Sequence, residues 1–177
     1  MHIYIALLRG INVGGRNKVP MVELRALLTE AGLDNVTTYI QSGNVFFQSL
    51  NKDTKALEEL IHNSILSHFG LNLPILVKTR NQLSKIFNDS PFEDYKKVES
   101  YFVILNKVPC KKLVLEAVKK TYPEDEYHII NDCIYLYCKK GYGRSKFNLS
   151  YFETKLKVNA TARNYKTMVK LLSLSDI

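Results

Sequence analysis

The chain has 177 residues, 46% of them apolar and 24% charged. That composition fits one ordinary folded domain or two small ones, and it excludes disordered, collagen-like and coiled-coil chains. Twenty-five basic residues against 17 acidic ones leave +8, and no apolar run approaches the roughly 18 residues that a membrane span requires.

Residues 3–8 read as a buried strand, followed by a glycine-rich loop over 9–18. Pro20 suits a first helical position. Met21, Leu24, Leu27, Leu28 and Ala31 then recur at helical spacing up to Gly32. Residues 36–41 and 45–48 form a β-hairpin pattern around Ser42-Gly43-Asn44. Leu57, Leu60, Ile61, Ile65 and Phe69 mark a second helix, which Gly70 stops. A strand over 74–78 and a short helix over 81–87 follow. The order β-α-β-β-α-β is the split, ferredoxin-like pattern.

The second part repeats it. Residues 101–105 read as a strand and 111–120 as a helix. Residues 127–130 and 134–138 read as a hairpin around Asn131-Asp132, and 145–157 as a helix that Ser145 caps. A short strand over 160–163 and a last helix over 165–174 complete it. The expected fold is α+β: two tandem ferredoxin-like (βαββαβ) halves with antiparallel sheets. The halves span 1–90 and 100–177, the latter with an extra C-terminal helix, and a linker spans 91–99.

In such a sheet, strands one and two point one way and strands three and four the other. The loop over 9–17 therefore lies beside 41–44 in the first half. In the second half, 141–146 lies beside Arg163 and Asn164.

Charge is concentrated near the C-terminus. Nine basic residues (Lys139, Lys140, Arg144, Lys146, Lys155, Lys157, Arg163, Lys166 and Lys170) face only Glu153 over 139–170, so this segment carries +8 and the rest of the chain is neutral. Such a patch attracts polyanions, acidic membranes or phosphorylated small molecules, or simply solvates a face.

Three cysteines without a Cys-x-x-Cys spacing and four scattered histidines suggest neither disulfides nor a metal site. No cofactor is implied. The N-terminal residues lack the layout of a signal peptide, which points to a cytoplasmic protein without a membrane partner.

Two loops carry the chemistry. In the first, glycines let backbone N–H groups turn toward an anion near a helix start. Its candidate ligand-binding residues are Arg9, Gly10, Asn12, Gly14, Gly15 and Asn17, joined by Ser42, Gly43 and Asn44 from the hairpin. It is not a P-loop, because Arg16 and Asn17 stand where Lys and Ser or Thr are required. A plain tight connection remains the alternative.

The second loop, 139–146, opens with Lys140-Gly141-Tyr142-Gly143, as the RNA-binding RNP1 motif does. Arg144 and Ser145 then replace the apolar residues that the motif needs. Candidate phosphate or nucleic-acid contacts are Lys140, Arg144, Ser145, Lys146, Arg163, Asn164 and Lys166. Seven of the eleven tyrosines lie between Tyr122 and Tyr165. Exposed, they would stack bases; buried, as favoured here, they would line a seam between sheets.

Four blocks in order resemble the bacterial domain of unknown function family 1697: ALLRGINVGG at 6–15, TYIQSGNVFF at 38–47, YLYC leading to GYGRSK across 135–146, and TARNYKT at 161–167. Tyr165 stands where such proteins often have Trp, and this chain is richer in lysine. The resemblance implies a small bacterial cytosolic protein with a two-part α+β fold, and it implies no activity.

The leading functional expectation is a module that binds a polyanionic or phosphorylated ligand, nucleic acid first. One alternative is an enzyme acting on a nucleotide-like or phosphorylated small molecule, although no base, nucleophile or metal set stands out. The other is a protein-interaction adaptor.

Overall fold

The computed structural model describes residues 1–175. The chain divides into two compact units, Ser84–Lys170 and Met1–Leu83 together with the stretch from Leu171.

In the first unit, strands β1 (His2–Leu8), β2 (Asp34–Tyr39), β3 (Asn44–Ser49) and β4 (Ile75–Thr79) form an antiparallel sheet in the order β2-β3-β1-β4. Helices α1 (Met21–Glu30) and α2 (Thr54–Phe69) carry its apolar stripe. Leu24, Leu28, Leu57, Ile61 and Ile65 are buried at i, i+4 and i+8 spacing with Ala6, Val45 and Phe47 of the strands. Burying a side chain such as Phe47 contributes about 1.5–3 kcal/mol.

The helix ends follow local chemistry. The Asp53 carboxylate accepts from the backbone N–H groups of Lys55 and Ala56 at the start of α2, and Gly70 ends it with φ +68. Pro20 stands one position earlier than expected, just before α1, with extended backbone.

Helix α3 (Arg80–Asn88) follows β4, and a helical turn α4 (Asp94–Lys97) lies within the stretch 91–99. In the second unit, β5 (Ser100–Leu105), β6 (Asp125–Ile130), β7 (Cys133–Cys138) and β8 (Ala160–Asn164) take the order β6-β7-β5-β8, again antiparallel. Helices α5 (Lys111–Ala117) and α6 (Leu149–Leu156) belong to this unit, and α7 (Tyr165–Leu174) follows β8. The fold is thus α+β with two tandem ferredoxin-like halves, as the element order predicts. No helix among the described residues is long and apolar enough to cross a membrane.

One helix starts later than expected. Residues 145–148 are not helical, and α6 begins at Leu149 because the Asn148 side chain accepts from the backbone N–H of Tyr151 at 3.0 Å. Ser145 does not cap this helix.

Of the seven clustered tyrosines, Tyr122 and Tyr135 are buried, Tyr127, Tyr137, Tyr151 and Tyr165 are half-buried, and Tyr142 is exposed. Tyr122, Tyr127, Phe147 and Phe152 pack edge and face within the second unit. Tyr135 is 1% exposed, and its hydroxyl donates to the Ile86 carbonyl at 2.8 Å. Phe87 stacks on Phe102 and packs on Tyr165. Cys133 and Cys138 are buried in β7, as small apolar residues are.

Candidate functional site

In the first unit the antiparallel register brings the loop after β1 against the β2–β3 hairpin. The Leu8 N–H donates to the Gly43 carbonyl at 2.8 Å, and Asn12 Nδ2 donates to the Gln41 carbonyl at 2.9 Å. The expected juxtaposition of 9–17 with 41–44 is present.

Several side chains assigned to a ligand there are instead engaged in holding the loops. Asn12, in left-handed backbone at φ +53, also donates to the Val19 carbonyl and accepts from the Val19 N–H, both at 2.9 Å. Asn17 Nδ2 donates to the Gly10 carbonyl at 2.8 Å. Asn44 is fully buried and donates to the Tyr39 carbonyl and to Ser42 Oγ. Gly43 is pressed against Leu8. Gly14 and Gly15 are solvent-facing with left-handed φ, flanked by exposed Val13 and Arg16. What this loop offers a ligand is therefore backbone and cationic charge rather than its asparagines.

In the second unit the loop after β7 is pinned at three points. Tyr142 lies on Tyr101 with ring centroids 4.5 Å apart. Lys140 Nζ pairs with Glu124 Oε2 at 3.0 Å. Ser145 Oγ donates to Asp125 Oδ2 at 2.7 Å and accepts from the Phe147 N–H at 2.9 Å. The turn itself closes by Arg144 N–H to the Gly141 carbonyl and Ser145 N–H to the Tyr142 carbonyl, with Gly141 at φ +81. Arg144 and Lys146, on either side of the anchored Ser145, stay exposed. Among the described residues no carboxylate pairs with either of them.

These residues line a cleft of about 320 Å³. Tyr122, Glu124 and Asp125 enter from the start of the β6 hairpin, and Lys140, Arg144 and Lys146 from the loop. Burial raises the pKa of the Tyr122 phenol, so it carries its proton at neutral pH. Its oxygen accepts from the Asn148 N–H at 3.3 Å. Burial likewise pushes the nearby Cys138 thiol up to about 11, which leaves it protonated and poorly nucleophilic.

The remaining residues of the expected contact set are dispersed. Asn164 pairs in register with Tyr101, so it shares an end of the sheet with Tyr142, and its Oδ1 accepts from the Thr167 N–H at the start of α7. Lys166 is exposed in the first turn of α7. Arg163 departs from the expectation of a surface contact. It is 7% exposed, and its guanidinium donates to Thr161 Oγ1 and the Ala162 carbonyl. Desolvation lowers its pKa to about 10, still charged at neutral pH. It faces inward because alternation along β8 places it on a covered face, which a count of basic residues does not reveal.

Sequence reasoning missed Tyr122, Glu124 and Asp125. The signal that points to Asp125 is hairpin register, which sets it opposite Cys138 at the base of the basic loop.

A family model described as protein of unknown function (DUF1697) matches residues 1–135. The chain belongs to that family. In this DUF1697 member the first two motif blocks and the start of the third lie inside the matched span, and the basic loop and the Arg163-Asn164 block lie beyond it. A solved structure described as that of the conserved bacterial protein SP0830 from Streptococcus pneumoniae is similar over the whole length. It shares 26% identity at a TM-score of 0.74, with 100% of this chain and 99% of that chain covered. No curated protein matches the chain.

Proposed function

We propose that this protein binds a polyanionic or phosphorylated ligand, nucleic acid being the leading class, through the basic loop of its second unit. The supporting observation is Arg144 and Lys146, two exposed cations without a carboxylate partner among the described residues, set on a turn that Tyr142, Ser145 and Lys140 anchor. Cations carried on a loop that is already anchored lose less backbone freedom on meeting a phosphate. Exposed Lys139, Lys155, Lys157, Lys166 and Lys170 of the same unit add a long-range field that steers anions.

Fluorescence anisotropy with labelled single- and double-stranded oligonucleotides, titrated from low to physiological salt, tests this reading. Wild type is expected to bind with a steep salt slope. Arg144→Ala/Lys146→Ala is expected to weaken binding and lower the slope by about two. No binding at low salt, or an unchanged slope in the double variant, refutes it.

A second reading rests on the first unit. The exposed left-handed backbone of Gly14 and Gly15, beside Arg16, suits a phosphate or oxyanion holder. An enzyme acting on a nucleotide-like or phosphorylated small molecule would use it so. A thermal-shift screen against phosphorylated metabolites finds such a ligand, because binding raises the melting temperature by mass action, and two variants then tell the sites apart. Arg16→Ala would then cancel the shift, and Arg144→Ala would leave it intact.

A further inference from the structure

We infer that the second-unit cleft takes a terminal phosphomonoester carried on a sugar, as at the 5′-phosphorylated end of a strand or in a free sugar phosphate, rather than an internal phosphodiester. This rests on the anion-binding reading above and narrows its ligand.

The donor set is the first reason. A phosphomonoester presents three acceptor oxygens and about −1.5 to −2 charge at neutral pH. The cleft is lined by three residues whose donors lack an acceptor among the described residues: Arg144 with its guanidinium, Lys146 with its ammonium and Tyr122 with its phenol proton. Tyr122 is 8% exposed and rigidly packed on Phe147 and Phe152, so its position is set before any ligand arrives. The Asn148 N–H uses a lone pair of its oxygen and leaves the hydroxyl hydrogen to give.

The acidic lining is the second reason. Glu124 and Asp125 contribute to the same cleft. Glu124 is paired with Lys140, whereas Asp125 meets the neutral Ser145 hydroxyl and keeps its charge, so a strand running through the cleft would carry its next phosphate against Asp125, and like charges repel. A sugar hydroxyl in that place donates to a carboxylate instead. Mixed charge thus selects a ligand that is anionic at one end and rich in O–H groups beyond it.

Size is the third. About 320 Å³ is at the small end of ligand-site volumes and matches one phosphorylated sugar unit rather than a length of strand.

The test uses the full-length protein and a short single-stranded oligonucleotide labelled at its 3′ end, with either a 5′-phosphate or a 5′-hydroxyl. Ribose 5-phosphate, ribose and inorganic phosphate serve as competitors, and as direct ligands in a thermal-shift assay. The 5′-phosphorylated strand is expected to bind about tenfold tighter than its 5′-hydroxyl twin. Ribose 5-phosphate is expected to compete better than inorganic phosphate, and ribose not at all. Tyr122→Phe, which keeps the packed ring, is expected to cut the preference by about threefold while preserving the salt slope. Arg144→Gln gives a second variant that leaves Tyr122 and its packing untouched, and the preference is expected to fall there too.

If both strands bind equally and ribose 5-phosphate does not compete, the phosphomonoester inference is overturned while polyanion binding stands. If ribose 5-phosphate stabilises the protein and neither strand binds, the inference holds with a free sugar phosphate as the source, and nucleic acid is removed from the broader reading. If no probe binds, both fall.

Discussion

Gly43 shows how one residue ties a motif to its frame. Its φ is +76, and a Cβ built there would stand 2.7 Å from Leu8 Cβ and 3.1 Å from the Leu8 carbonyl oxygen. Gly43→Ala therefore combines left-handed strain with a clash against backbone, and is expected to cost about 2–4 kcal/mol, read as a lower urea midpoint. Asn12 and Asn44 read from sequence as ligand groups, yet their amides serve carbonyls of this chain. Asn44 serves Tyr39 within its own hairpin, but the Gln41 carbonyl that Asn12 serves lies 29 residues away, on a second loop that no local pattern places beside the first.

Glu58 gives a residue-scale prediction about pH. Its carboxylate accepts from the Val77 N–H at 2.8 Å, but burial outweighs this bond and the nearby lysines, so its pKa lies above the ordinary 4.5. The native state then holds the proton more tightly than the unfolded chain. The resulting stabilisation is complete below 4.5 and is lost as pH rises through the raised native value. Glu58→Gln has no charge to desolvate and is expected to flatten that part of the profile. Urea midpoints of both proteins at about pH 4 and about pH 7 check this, since only wild type loses the Glu58 contribution between them.

At the scale of elements, the start of α6 decides what the basic loop presents. Asn148 caps the helix, so residues 145–148 are free to fold back along the hairpin, and Ser145 reaches Asp125 instead of the helix backbone. Asn148→Ala is expected to lower stability by about 1 kcal/mol in chemical denaturation. Most element positions were legible in the sequence, because burial at periods of 3.6 and 2 is written locally. The misplaced α6 start arose where Ser145 and Asn148 both suit a cap. A hairpin carboxylate, Asp125, claims the first of them and leaves the second to the helix.

On the scale of the whole molecule, charge is unevenly shared. The unit Ser84–Lys170 holds seventeen basic and ten acidic residues, +7, and the rest of the chain holds eight and seven, +1. A field of this kind accelerates encounter with an anion more than it strengthens the final contact. Lys155→Glu/Lys157→Glu, on exposed positions of α6 and its C-terminal end, is expected to slow association with an oligonucleotide severalfold at low salt and leave dissociation nearly unchanged. Stopped-flow traces at two ionic strengths distinguish this from the loss of direct contacts expected for Arg144→Ala/Lys146→Ala.

The order of elements, their duplication and the family were already determined by the sequence alone, because hydrophobic period, turn residues and motif blocks are properties of neighbouring positions. The tertiary structure decided which polar groups face a ligand. Arg163 and Arg144 are equally basic in sequence, yet one is enclosed and bonded to Thr161 while the other stands exposed beside Tyr122 and Asp125. The difference is burial and non-local hydrogen bonding, which arise only when strands distant along the chain come to lie side by side.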